Sequence, residues 1–484
     1  MSESTHSSAR FGHDLTQGSI PRHLVTFSLP MLAGNLIQTA YSIINAVWVG
    51  KGLGKRELAA VTVSFPVVFV LLAVAGGLTM ATGILVAQYA GARNWARLKV
   101  VVQTSVALAI GISAVLLPVG ELLTPLILSR MQTPPGVLPE AISYMRIFLL
   151  FMPFGFGTFL VVSMLRGVGD SKTPLYFQAG SLLLTAIFDP ILMFGWLGFP
   201  RLGLNGTAVA SVSAQALGVV ALFLYLHHKD HVVAPNWRKL RADWPTAWLL
   251  LKIGFPSAVQ QSFISIGMLF VTGFVNAFGE NATAAFGAAL RIDQIAFLPA
   301  MTFSMAVATL VGQNIGAGRL NRVPEVFRWG IALSGGVTLP LMALMLLAPH
   351  LLLRMFVDDA QVMRIGISYL RIIGASYIFM AVLFVGNGVL NGAGHTLATT
   401  LIALVSLWVV RVPLAAYLTA RMGRGEGVWW AMAASSVASM LVSMGCYYAG
   451  LWKRPVGAHS LVQDARATED AEGEDATASL APVE

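Results

Sequence analysis

Cysteine occurs once in the 484 residues, at Cys446. That excludes an internal disulfide and a cysteine-built metal cluster, and leaves the redox compartment open. Charge is scarce as well: Asp, Glu, Lys and Arg make up 11% of the chain, against roughly 25% in soluble domains. With 56% hydrophobic residues and a mean hydropathy of +0.73, the composition is that of a polytopic membrane protein. Histidine is thin too. The nine do not assemble with a nucleophile or further ligands, and His227, His228 and His231 fall together in one polar stretch where solvated charge is the ordinary role. The sequence therefore reads as neither an enzyme nor the holder of a metal or cofactor. Met1 to Arg22 lacks the short apolar core and cleavage site of a signal peptide, so the first membrane helix acts as its own insertion signal.

What the chain has in abundance is long apolar runs, near 24–49, 58–87, 100–123, 141–164, 174–198, 205–227, 247–277, 283–312, 327–353, 366–390, 397–420 and 427–452. At ~20 residues per crossing these make twelve transmembrane helices and an all-α fold. Twelve crossings put both termini on one side. Alternating connections carry 17 Lys and Arg on that side and nine on the other, so both termini are expected in the cytoplasm, in the inner (plasma) membrane. The stretch 455–484 holds seven acids against Arg466 and reads as a disordered tail. Without it the body carries 30 basic and 15 acidic residues, a net +15. Spread over short loops, that charge suits membrane lipid headgroups rather than nucleic acid.

The chain also repeats itself. Val86-Ala87-Gln88-Tyr89-Ala90-Gly91-Ala92 recurs as Val311-Gly312-Gln313-Asn314-Ile315-Gly316-Ala317, Ser143-Tyr144-Met145-Arg146-Ile147 as Ser368-Tyr369-Leu370-Arg371-Ile372, and Leu165-Arg166-Gly167-Val168-Gly169 as Leu390-Asn391-Gly392-Ala393-Gly394, all at an offset of 225. An even six-span unit repeated once keeps its orientation, so the repeats are parallel and a substrate cavity is expected between them. The resulting plan is an N-terminal tail at 1–22, an N-lobe at 23–228, a linker at 229–246, a C-lobe at 247–454 and the acidic tail at 455–484.

One carboxylate stands out. Asp189 lies inside an apolar run and is followed by Pro190, which removes a backbone donor and interrupts the helical ladder. A charge near the bilayer centre costs at least ~2.5–3.5 kcal/mol, so such residues mark ion or substrate paths. Gln38, Tyr41 and Asn45 form a polar stripe on one face of the first helix, partly repeated by Gln261 and Ser265 on the seventh. Arg291 and Asp293 sit in the eighth span, two residues apart, so they point to different partners. Both are candidates to line the cavity. Arg411 falls one residue off the position that Asp189 occupies in the first repeat, which makes the lobes chemically unequal.

The motifs Leu29-Pro30, Val49-Gly50, Leu85-Val86-Ala87-Gln88, Arg166-Gly167-Val168-Gly169-Asp170-Ser171, Asp189-Pro190 and Leu310-Val311-Gly312-Gln313-Asn314-Ile315-Gly316-Ala317-Gly318 resemble the multidrug and toxic compound extrusion (MATE) transporters of the MOP superfamily, over roughly residues 20–452. The resemblance implies a monomeric antiporter of two six-helix lobes that expels amphipathic, often cationic, small organic compounds against inward-flowing protons or sodium. Carried over, the family's N-lobe ion site falls on Asp189, Asn45, Thr185 and Ser211, with one carboxylate where the family usually has two. The C-lobe carboxylates of the sodium-coupled branch are replaced by Ile264 and Met380. The glycine run 166–174 lacks the strand and spacing of a nucleotide loop, which leaves an ion gradient as the energy source. A flippase for lipid-linked precursors is the alternative with a similar two-lobe plan.

Overall fold

The computed structural model describes residues 12–53, 55–131 and 133–457. The first 11 residues and the acidic stretch 458–484, where the tails are expected, lie outside the described residues. Among the described residues every regular element is helical, as it must be where no water can satisfy a backbone group and each apolar segment supplies its own hydrogen bonds. The first repeat runs α1 (Ile20–Gly52), α2 (Lys55–Gly91), α3 (Trp95–Arg130), α4 (Leu138–Leu149), α5 (Phe151–Gly167), α6 (Lys172–Phe194) and α7 (Leu204–His228). The second runs α8 (Trp244–Asn276), α9 (Glu280–Gly316), α10 (Val323–Leu347), α11 (Pro349–Leu353), α12 (Ala360–Gly374), α13 (Tyr377–Gly392), α14 (Thr396–Leu404), α15 (Val412–Met422) and α16 (Glu426–Tyr448).

Among the described residues nine helical segments are long and apolar enough to cross a membrane alone, and the bent pairs α4–α5 (46°) and α12–α13 (47°) bring the number to eleven. The remaining long helix is α1, of 33 residues; it carries Asn35, Gln38, Tyr41 and Asn45, the last three of which reappear in the site below. In the eleventh span a π-helical turn, Val405–Arg411, precedes Pro413. That wider turn accommodates a hydrogen-bond ladder from which proline has removed a donor.

Each repeat lends the start of its first helix to the other. Leu24, Phe27 and Met31 of α1 pack in one apolar cluster with Val307, Leu310 and Val311 of α9 and Val385 and Val389 of α13, while Leu250 and Ile253 of α8 join the cluster built on α2, α3 and α5. Lipid tails are as apolar as leucine, so close backbone approach and interhelical hydrogen bonds decide such packing. Asn35 Nδ2 donates to Thr302 Oγ1 at 3.1 Å, from α1 to α9. Gly77 on α2 and Gly254 on α8 lie backbone to backbone: a Cβ on Gly77 would fall 2.5 Å from the Gly254 carbonyl oxygen.

At the face of the termini, α2 and α9 close on each other through the repeated motifs. Gln88 Nε2 donates to Gly392 O at 3.1 Å and Gln313 Nε2 to Gly167 O at 2.8 Å, so the glutamine of each repeat holds a glycine carbonyl of the other. The segment before α1 crosses the same seam. His13 N donates to Val168 O at 2.9 Å, Leu15 N to Gln313 Oε1 at 3.0 Å, and Arg319 Nη1 to Thr16 O at 2.8 Å. Partial burial opposes ionisation of Asp14, but bonds from the Thr16 side chain and backbone and the Arg93 guanidinium, 3.1 Å away, hold its carboxyl below the usual range.

The connection between repeats is partly buried. Val232 and Val233 enter the first repeat's core, and His231, 6% exposed, accepts from Val233 N at 3.3 Å. Burial pushes the His231 pKa down, with Asp170 partly offsetting it. The buried neutral ring therefore contributes stability that is complete above about pH 6.5, the unfolded value, and is lost as pH falls from there through the folded value. Protection factors at residues 229–236, exchange rates corrected for the intrinsic pH dependence, are expected to fall on acidification from about pH 7 to 5 and to fall less in His231→Gln; identical profiles for the two proteins would count against the burial argument.

Candidate functional site

Asp189 is completely buried, one turn before the end of α6. Its Oδ2 accepts from Tyr41 Oη and from Asn45 Nδ2, both at 2.9 Å. Positions 41 and 45 are one turn apart on α1, so one face of that helix delivers both donors. Asn45 Nδ2 also lies 3.4 Å from Tyr41 Oη, and the Ser211 side chain of α7 is close enough to the Tyr41 hydroxyl to influence it. Asp189 Oδ1 is buried and has no hydrogen-bond partner. An acceptor of that kind is costly to leave unmade, and it is the atom to which a proton or a small cation can add.

Thr185 stands on the same face of α6, one turn before Asp189 and 5% exposed, but its hydroxyl donates to Ser181 O at 2.8 Å. It can offer Asp189 no proton and keeps only its lone pairs free. Tyr144 of α4 is also close enough to be electrostatically coupled to Asp189 and Tyr41. Sequence reasoning did not single it out, although it belongs to the repeated Ser143-Tyr144-Met145-Arg146 motif.

The counterpart of that motif builds a second acid site. Asp293 of α9, 2% exposed, accepts from the hydroxyls of Tyr369 on α12 and Tyr377 on α13, one on each oxygen. Aromatic rings close around it: Tyr369 meets Trp429 edge-on at 4.8 Å and Tyr377 meets Phe297 at 5.2 Å. Arg411 lies close enough to Tyr369 to couple with it electrostatically, and its Nε donates to Ser435 Oγ at 2.8 Å. The repeated tyrosines, Tyr144 and Tyr369, thus each stand by the buried acid of their own repeat. Asp293 differs from Asp189 in having both oxygens engaged and in being walled by aromatics, which suits a bolt between α9, α12 and α13. Removing either hydroxyl, as in Tyr369→Phe or Tyr377→Phe, leaves a buried carboxylate oxygen unpaired and is expected to cost about 1–3 kcal/mol, read as a lower thermal midpoint in detergent; an unshifted midpoint would contradict the bolt.

The other cavity candidates are not gathered with these. Arg291 is exposed and lies 5.8 Å over the Phe356 ring, away from Asp293. Gln38 is exposed, with Gln178 Nε2 3.4 Å from its Oε1. Gln261 is exposed, and the Ser265 hydroxyl donates to its backbone carbonyl at 3.0 Å. Gln38, Gln261 and Arg291 are polar side chains exposed within membrane-spanning helices, where contact with lipid is costly. A water-filled cleft between the repeats would relieve that cost. Among the described residues no group of three or more His, Cys, Asp or Glu could hold a metal ion.

A helical bundle of two parallel repeats, with a buried half-engaged carboxylate in the first, has the plan of a polytopic membrane protein, and the family it matches is one of transporters. The MatE family model matches residues 30–191 and 256–417, one segment in each repeat, and the chain belongs to that family. It is 32% identical to the probable multidrug resistance protein YoeA of Bacillus subtilis over 90% of this chain and 95% of that protein, and 32% identical to YpnP of the same organism, also a probable multidrug resistance protein, over 91% and 98%. A solved multidrug resistance MATE family transporter of the MOP superfamily, in an outward-facing conformation, matches the fold with a TM-score of 0.84 at 24% identity, over 91% of this chain and 98% of that one.

Proposed function

We propose that the chain is a secondary antiporter that exports amphipathic, cationic organic compounds in exchange for protons, working as a monomer in the inner membrane with both termini in the cytoplasm. The observation that carries the reading is Asp189: a buried carboxylate with two neutral donors on one oxygen, none on the other, and no ion pair. Ionised, it accepts only. Protonated on Oδ1, it becomes a donor, and its hold on Tyr41 and Asn45 weakens.

The helix that feels this change is α1, and it reaches both repeats. Its middle bonds Asp189, while its start packs in the second repeat's core. Pro30 lies within that seated start, which runs on to Met31 and Asn35, and it follows two back-bonded hydroxyls, Ser28 Oγ donating to Leu24 O at 2.5 Å and Thr26 Oγ1 to Arg22 O at 2.7 Å. Proline and back-bonded hydroxyls bend helices, which makes 26–30 the stretch that can yield when protonation loosens the hold of Asp189 on α1. A protonated Asp189 no longer attracts a cationic cargo, so proton binding and cargo binding exclude one another and proton entry goes with cargo release. The kinship with the probable multidrug resistance proteins of Bacillus supports multidrug export, and the excess of Lys and Arg on the termini face supports a cytoplasmic assignment.

The test is accumulation of a fluorescent organic cation in everted vesicles or proteoliposomes under a pH gradient or a sodium gradient imposed separately. Transport driven by the pH gradient alone is the expected result. Transport that needs sodium would instead make Asp189, Tyr41, Asn45, Thr185 and Ser211 a set of hard oxygen ligands. No dye movement under either gradient, with lipid translocation in the same vesicles, would replace the reading with the flippase.

A further inference from the structure

Away from Asp189, a groove of about 820 Å³ lies on the outside of the first repeat, walled by α3, α5 and α7. Ala114, Pro118, Gly157 and Val220 lie along it, and its only polar lining is Ser113 and, at one end, His227 with Trp237. Gly157 keeps it open, because a Cβ there would already stand 3.3 Å from Val219.

We infer that this groove binds one acyl chain of an anionic phospholipid from the leaflet on the termini side. Length is the first reason. From Val106 to Pro118 the α3 wall runs about 18 Å at 1.5 Å per residue, close to the ~15 Å of hydrocarbon that one leaflet contributes. The groove also ends where a headgroup would begin. Trp237, half exposed, meets Phe223 edge-on at 5.1 Å, the placement tryptophan takes at a membrane–water boundary.

Basic residues adjoin this end in the chain. His227 stands at this end with its ring nitrogens 2.9 Å from Phe223 O and 3.0 Å from Pro235 O. Exposed Arg238 and Arg241 follow Trp237 by one and four residues in the chain. Near a membrane surface such charges attract anionic lipid headgroups. The linker motif Trp237-Arg238-Lys239-Leu240-Arg241, which transport itself does not explain, thereby acquires a role. A bound chain also replaces the contacts that α3, α5 and α7 cannot make with one another across the groove.

The experiment needs no transport, so it is independent of the antiporter reading. Full-length protein is placed in phosphatidylcholine nanodiscs doped with phosphatidylglycerol, or in parallel phosphatidylcholine, carrying a photoreactive group at mid-chain, and the crosslinked peptides are mapped. The expected result is phosphatidylglycerol crosslinks on α3, α5 and α7 several-fold above those at exposed Leu441 and Val442 of α16, with the phosphatidylcholine probe lower at the groove. Ala114→Trp, filling the groove, should bring its yield down to the α16 level, while Arg238→Gln with Arg241→Gln should keep the crosslink and erase the headgroup preference. Uniform labelling of the whole surface, groove labelling unchanged by Ala114→Trp, equal yields for the two wild-type probes, or displacement of the probe by excess transported dye would each overturn the inference.

Discussion

Asp189→Asn is expected to give a protein that inserts and folds but moves no dye above protein-free vesicles under an imposed pH gradient. The substitution keeps shape and most bonding: an amide oxygen in place of Oδ2 still accepts from Tyr41 and Asn45. The amide nitrogen then occupies the position of Oδ1, which has no hydrogen-bond partner, so stability should change by only about 1 kcal/mol. What disappears is the ability to take up and release a proton, and with it any coupling. Tyr41→Phe and Asn45→Leu each remove one donor to Oδ2 and should impair transport in part, because they alter the hold on α1 without removing the proton carrier. Undiminished pH-driven export by Asp189→Asn, with protein level and thermal midpoint matched to wild type, would remove Asp189 from the mechanism.

The second large effect concerns the seam. A Cβ on Gly316 would fall 1.8 Å from the Gln88 carbonyl oxygen, and one on Gly91 1.9 Å from that of Gln313. No side chain fits either place while α2 and α9 are closed on the termini side. Gly316→Val and Gly91→Val should therefore hold this face open and reduce export to background without preventing insertion. Spin labels at Ala96→Cys and Leu320→Cys, in a Cys446→Ser background, should report a distance distribution moved several ångströms outward in either variant, relative to the same labels on otherwise unaltered protein. An unchanged distribution together with normal transport would mean that the closed arrangement is not part of the cycle. Leu15, bonded to Gln313 and Asn314, should become more accessible in the same variants, because its partners move apart with the seam.

Much of this site was legible in the chain. Asp189 stood out because a carboxylate beside a proline has no cheap place in an apolar run, and Tyr41 and Asn45 because a one-turn spacing puts them on a single helix face. The Ser-Tyr-x-Arg repeat was visible, but the value of its tyrosines was not, since a tyrosine in a membrane helix serves equally as an interfacial anchor, packing or a hydrogen-bond donor. Only the bend between α12 and α13 brings Tyr369 and Tyr377 onto the two oxygens of one acid. The same holds for Thr185, whose hydroxyl turns back on its own helix, a choice that a side chain's sequence position does not encode.

Composition and apolar run length determined that this is a twelve-span membrane protein, because a bilayer leaves a long apolar segment no structure but a helix. The offset of 225 determined that the protein is two parallel copies of one unit. Tertiary structure alone decided that the copies are interleaved, with α1 seated in the second core and α8 in the first, and that the repeated glutamines and glycines exist to meet one another across the seam. A repeat in sequence specifies what each copy can bond, but the choice between bonding within a copy and bonding to its twin depends on how closely two backbones approach, and that is set by the packing of the whole bundle.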